Sequence, residues 1–108
     1  MKVMVVGSRG ITSDISQYIP KDATLIITGG AKGVDTLAEQ YADEHNIPKL
    51  IVRPDYEKYG KKAPIKRNHE MVDMADLVIA VWNERSRGTK DVIDYAISHN
   101  VRLRVYTP

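Results

Sequence analysis

The chain has 108 residues, 43% of them apolar, and 16 Lys plus Arg against 14 Asp plus Glu, for a formal net charge of +2. That suffices for one domain around one core, and the even charge excludes a general nucleic-acid coat protein. There is no cysteine, which excludes disulfides, thiolate metal sites and cysteine nucleophiles, and no apolar run nears the ~20 residues of a membrane span.

Lys2 leads into a strand, Val3–Val6, rather than a signal-peptide core, so the cytoplasm is the expected location. The strand ends in Gly7-Ser8-Arg9-Gly10, and a helix is predicted over Ser13–Ile19 from Ile15, Tyr18 and Ile19. A second strand, Leu25–Thr28, ends in Gly29-Gly30-Ala31-Lys32-Gly33. There a helix begins, Val34–His45, whose Val34, Leu37, Ala38, Tyr41 and Ala42 form one apolar stripe. Leu50–Val52 is the third strand.

Tyr56–Ala63 follows as a flap, and Lys58, Lys61, Lys62, Lys66 and Arg67 form a stretch free of acids. The plain reading of that run is a solvated face; the functional one is an electropositive rim. Pro64–Ala75 is a helix with proline in its first turn, where a missing N–H costs nothing. Strand Leu77–Trp82 leads through Asn83 to Ser86-Arg87-Gly88-Thr89, helix Thr89–His99 and strand Leu103–Tyr106. His45-Asn46 and His99-Asn100 read as helix C-caps and His69 as a surface residue, so the three histidines form no metal site.

Strands and helices alternate through residues 1–108 without a linker, which predicts a single domain. Short, mostly continuous Val/Ile strands predict an α/β Rossmann-like three-layer sandwich, a five-stranded parallel sheet with helices on both faces. In the usual order, 3-2-1-4-5, the turns after strands 1, 2 and 4 share one crevice. Five of the seven glycines lie in the first two of those turns and Gly88 in the third.

Helix N-termini carry unpaired amides and partial positive charge, and glycine lets backbone approach phosphate oxygens. The turns therefore predict binding of a phosphate-bearing, nucleotide-like ligand. Gly29, Gly30 and Gly33 would take phosphate contact or the tight turn beside it, and Ser8, Thr28, Ser86 and Thr89 would add hydroxyls. Arg9 and Arg87 would clamp oxygens. Trp82 either closes the core or stacks on a base or sugar. Against this stands the plainer reading, in which the glycines only turn and cap the chain. No GxxxxGK[ST] is present, and neither a GxGxxG nor an acid after strand 2 marks a dinucleotide enzyme.

At Val6-Gly7-Ser8-Arg9, Gly29–Asp35, Arg67-Asn68 with Met71, and Trp82 with Ser86–Thr89, the chain resembles the SLOG superfamily in its YspA-like branch. Its relatives include cytokinin-activating phosphoribohydrolases and the DNA-processing protein of transformation. The resemblance implies a Rossmann-like nucleotide-ligand domain with no required cofactor, Gly29, Gly30, Gly33, Gly88 and Thr89 facing the ligand, and a homodimer through a helix face. It adds Arg67 and Asn68 to the site and makes Asp35 a ribose contact. The phosphoribohydrolases carry Gly-Gly-x-Gly-Thr-x-x-Glu, and here Gly88-Thr89-Lys90-Asp91-Val92 puts Val92 at the glutamate, with Asp91 turned about 100° away.

Ligand binding or sensing is thus the first reading. The second is a hydrolase of a nucleotide N-glycosidic or phosphate bond with Asp35 or Asp91 as its acid. The third is a single-stranded nucleic-acid module using Tyr56, Tyr59 and the Lys58–Arg67 cluster.

Overall fold

Two turns of sequence punctuation set the frame. Asn46 and Asn100 adopt left-handed backbone, φ 54° and 56°, directly after helices. At both ends a histidine Nδ1 lies 2.9 Å from the carbonyl four residues back, His45 on Tyr41 and His99 on Tyr95. The asparagine stops the helix and the ring meets its last carbonyls, as the sequence predicts.

The computed structural model describes all 108 residues. Strands β1 (Lys2–Gly7), β2 (Leu25–Thr28), β3 (Lys49–Ile51), β4 (Leu77–Val81) and β5 (Arg102–Tyr106) form one sheet in the order β3-β2-β1-β4-β5. All four pairings are parallel, with Val3 opposite both Ile26 and Leu77. Helices α1 (Val34–Glu44), α2 (Tyr56–Tyr59), α3 (Ala63–Met74) and α4 (Arg87–Ser98) fill the connections after β2, β3 and β4. This is the expected five-stranded Rossmann-like sandwich, with direction reversing between β1 and β4.

Alternate side chains of the central strands feed two cores, because successive residues of a strand point to opposite faces. On one face Val3, Val5, Ile26, Ile79 and Val81 meet Val34, Ala38, Tyr41 and Ala42 of α1. On the other, Met4, Val6, Ile27, Val78 and Ala80 meet Met71 and Val72 of α3 and Val92, Ile93 and Ala96 of α4. Every residue of β4 is buried, whereas β5 at the edge has none buried. Burial on both faces explains the unbroken apolar runs; edge strands need none.

One predicted helix is largely absent. Ser13–Ile19 contains only a single 3-10 turn, Ser16–Tyr18. Ile15 and Ile19 are buried as expected, but the segment is only seven residues long and Asp14 Oδ1 accepts from the Ser16 amide, a local turn that competes with helix. The groove it leaves against α1 encloses about 870 Å³ and is lined by Ile19, Ala23, Tyr41, His45 and Ile47. The Tyr56–Ala63 flap is instead ordered as α2 and a 3-10 turn, Gly60–Lys62, running straight into α3. No helix is long and apolar enough to cross a membrane.

Candidate functional site

At the carboxyl edge of the sheet, the β1, β2 and β4 turns are stitched to one another. Ser8, 1% exposed, accepts the Asn83 amide on its Oγ at 3.0 Å and donates its own amide to Val81 at 3.1 Å. On the other side the Gly33 α-carbon lies against Arg9: a β-carbon there would stand 2.4 Å from the Arg9 carbonyl oxygen. Gly33 also has φ +79°, so backbone contact and left-handed geometry both require glycine.

The turns present unpaired donors together. The amides of Arg9 and Gly10, of Gly30, Lys32, Gly33 and Val34, and of Arg87 and Gly88 donate to nothing within the protein. Ser86 caps α4, its Oγ accepting from the Thr89 amide at 3.3 Å and lying 3.1 Å from the Thr89 hydroxyl. That bond satisfies the third amide of α4 and leaves the first two open.

The glycines divide by what faces them. A β-carbon on Gly7 would strike Val81 O and Val34 Cγ2 at 2.4 and 2.5 Å, so this residue serves strand–helix packing. On Gly29 it would meet the Arg67 guanidinium at 2.7 Å, and on Gly30 that of Arg53 at 2.5 Å. These two glycines make room for arginines. Gly88 faces open space.

Arg67 ties the elements together. Its Nη1 donates to Gly29 O at 2.8 Å and Val52 O at 3.2 Å, and its Nε to Asn68 Oδ1 at 2.7 Å. Asn68 is 9% exposed, so its amide orients the guanidinium from beneath. Burial pulls the Arg67 guanidinium below the usual arginine range, Asp35 opposes that, and Arg53 and Arg9 reinforce it. The guanidinium stays charged. Mutual repulsion among Arg9, Arg53 and Arg67 is the field an anion would relieve. None of the three has a carboxylate within salt-bridge distance.

Asp35 departs from its expected role. It is 5% exposed, and its Oδ2 accepts from the Ala31 amide at 3.1 Å. The carboxylate therefore binds the β2 turn from inside. Burial pushes its pKa above the ordinary 3.8, against the Ala31 amide, the Thr28 hydroxyl and Arg67. Thr28 Oγ1 itself is fully buried without a hydrogen bond of acceptable geometry; its hydroxyl favours the Asp35 anion from a poorly directed position.

A carboxyl raised in the fold binds its proton more tightly folded than unfolded. The stability it confers is complete below 3.8 and is lost as pH rises through the raised value. Asp35→Asn, which can still accept from Ala31, should therefore gain on the native chain as pH rises above 3.8. Thermal midpoints measured in parallel check this; a constant difference would refute it.

Other expected contacts are used internally. The Trp82 indole, partly buried against the second core, donates to Ser86 O at 3.0 Å and so braces the β4 turn. Asp91 pairs with His69, Oδ2 to Nε2 at 2.8 Å, and His69 stacks on Tyr95 with ring centres 3.9 Å apart. His69 is thus held between α3 and α4 rather than on open surface, and Asp91 is not a free acid. Val92, at the glutamate position of the phosphoribohydrolase motif, is fully buried in the second core. No group of three or more His, Asp or Glu is placed to hold a metal.

Arg9 and Arg87 remain exposed and unpaired. Arg53 was not selected from sequence, although it directly follows Val52 at the end of the third predicted strand, on the edge that singled out the other turns. Val52 and Pro54 flank it, and it lacks the neighbouring glycine that marks the other turns.

Comparison with known proteins agrees with this frame. Residues 1–59 match the family model described as YspA, cpYpsA-related SLOG family. Gene 61 protein of Mycobacterium phage D29 is 38% identical over 72 residues, covering 61% of this chain. The chain spans 58% of that relative's length. No solved structure gives a significant match. The chain belongs to the YspA, cpYpsA-related SLOG family, within a superfamily that binds or processes nucleotide ligands.

Proposed function

We propose that this SLOG-family domain binds or senses a phosphate-bearing nucleotide derivative at the joined β1, β2 and β4 turns. One observation carries the reading: unpaired amides of three stitched turns lie beside Arg9, Arg67 and Arg87, none of which has a salt-bridge partner. Amides at helix starts and guanidinium groups both match phosphate oxygens, and neither matches a neutral ligand as well. Binding is favoured over hydrolysis because Asp35 is buried, Asp91 is paired and Val92 is in the core. A general acid must reach its proton, and neither acid expected for that role is free; a hydrolase would have to use Glu84, the exposed carboxylate of the β4 turn.

Thermal-shift measurement against AMP, ADP, NAD and ADP-ribose tests the reading. A ligand at 100 times its Kd should add about 2.7 kcal/mol, or roughly 10–20 °C in Tm for a domain of this size. Unmoved midpoints across the panel would reject it. Chromatography of the same mixtures should return the nucleotides intact; cleavage would favour the hydrolase instead.

A further inference from the structure

A second cavity adjoins the β2 turn on its far side from α4. It encloses about 340 Å³ between α2, α3 and the residues that follow β3, and Arg53, Lys58 and Arg67 line it with Asp55, Glu70 and Tyr59. Ala63, Arg67 and Glu70 stand at i, i+4 and i+7, so one face of α3 forms its wall. Arg53 and Arg67 also touch the glycine turn, Arg53 Nη1 reaching Gly30 O at 3.5 Å and Arg67 Nη1 reaching Gly29 O at 2.8 Å. Arg67 is therefore the partition between turn and cavity.

The cavity's three cations are only partly compensated by its two acids, Asp55 and Glu70, both of which favour the Lys58 ammonium. Asp55 spends its Oδ1 on the Lys58 amide at 3.1 Å, and neither Asp55 nor Glu70 comes within salt-bridge distance of Arg53, Lys58 or Arg67. Lys58 Nζ sits over the Tyr59 ring, 5.1 Å from its centre, which positions the ammonium without neutralising it. Three cations against two carboxylates, none of them in salt-bridge contact, leave the hollow with an excess positive charge that an anion would relieve.

We infer that the Arg53–Lys58–Arg67 cavity is a second anion subsite, taking a phosphate group of the same ligand. It builds on the nucleotide reading above and narrows the ligand class. Strands in a sheet lie about 4.8 Å apart, so the end of β3 is one strand from the β2 turn and three strands, about 14 Å, from β4. The ligand class is accordingly a nucleotide derivative with two anionic groups separated by about 5–15 Å, AMP standing in for the part that meets the turns and inorganic phosphate for the part that meets the cavity.

NMR of the isotope-labelled full chain tests this with two probes, inorganic phosphate and AMP, each against sodium chloride at equal ionic strength. Phosphate alone should saturably shift the arginine side-chain signals of Arg53 and Arg67 and the backbone amide of Lys58. Arg53→Ala and Lys58→Ala should each weaken that response about tenfold or more, while leaving the core signals in place. If AMP moves Gly30, Gly33, Arg87 and Gly88 but phosphate leaves Arg53 and Lys58 still, the subsite is overturned and the nucleotide reading stands. If phosphate titrates Arg53 and Lys58 but AMP leaves the turn amides still, the subsite stands and the nucleotide reading falls. A phosphate response that survives both substitutions overturns the subsite.

Discussion

Gly33→Ala is expected to destabilise the domain by about 2–5 kcal/mol, enough to remove much of the 5–15 kcal/mol typical of a small protein. Two penalties add at this position. An alanine at φ +79° is strained wherever it sits, and its β-carbon would lie 2.4 Å from the Arg9 carbonyl oxygen. The obstacle is backbone, so it cannot rotate away as a side chain would. Relief would require separating the β1 and β2 turns, which also dismantles the proposed site. Chemical denaturation should show the loss as a lower midpoint at unchanged slope. Gly88→Ala is the control: open space surrounds it and it lies within α4, so alanine should be neutral or stabilise by up to about 1 kcal/mol. Equal damage at both positions would show that close approach is not what Gly33 provides.

Arg67→Ala should lower affinity for the nucleotide found in the thermal-shift panel by about 100-fold and stability by about 1–3 kcal/mol. The guanidinium joins Gly29 O, Val52 O and Asn68 Oδ1. Its loss leaves two carbonyls and one amide oxygen without their donor, and Asp35 without its opposing cation. Lysine should not rescue binding, because an ammonium cannot span donors toward two strand ends and a helix side chain in one plane. Calorimetric titration of native, Ala and Lys chains separates the outcomes. Binding restored by lysine would mean that Arg67 acts by charge alone.

Sequence reading reached furthest where one residue decides its own surroundings. The asparagine stops, the proline start of α3 and the Val/Ile runs of β1 and β4 all depend on local backbone or on burial, and composition records both. It located the three turns because glycine clusters at strand ends have few other uses. It did not separate the glycines by task. Gly7 packs on Val34, Gly29 receives Arg67 and Gly33 meets Arg9, and each partner is distant in sequence or set by the turn's path. The same limit applies to Asp35: an acid in the first turn of a helix looks solvent-facing or ligand-facing, and only the fold turns it inward onto Ala31. The Ser13–Ile19 segment had the apolar spacing of a helix but too few residues to hold one without a tight cap and good helix formers.

The central pairing has a consequence for how the chain is made. β1 lies between β2 and β4, and its partners on the β4 side begin at Leu77, opposite Val3. While a ribosome is still short of that point, Val3 through Val6 have only one neighbour strand, and the second core lacks the Val78, Ala80, Val92, Ile93 and Ala96 side chains that complete it. The nascent first half therefore carries a bare, apolar sheet margin, open to any passing strand. Closure of that margin waits for the arrival of β4.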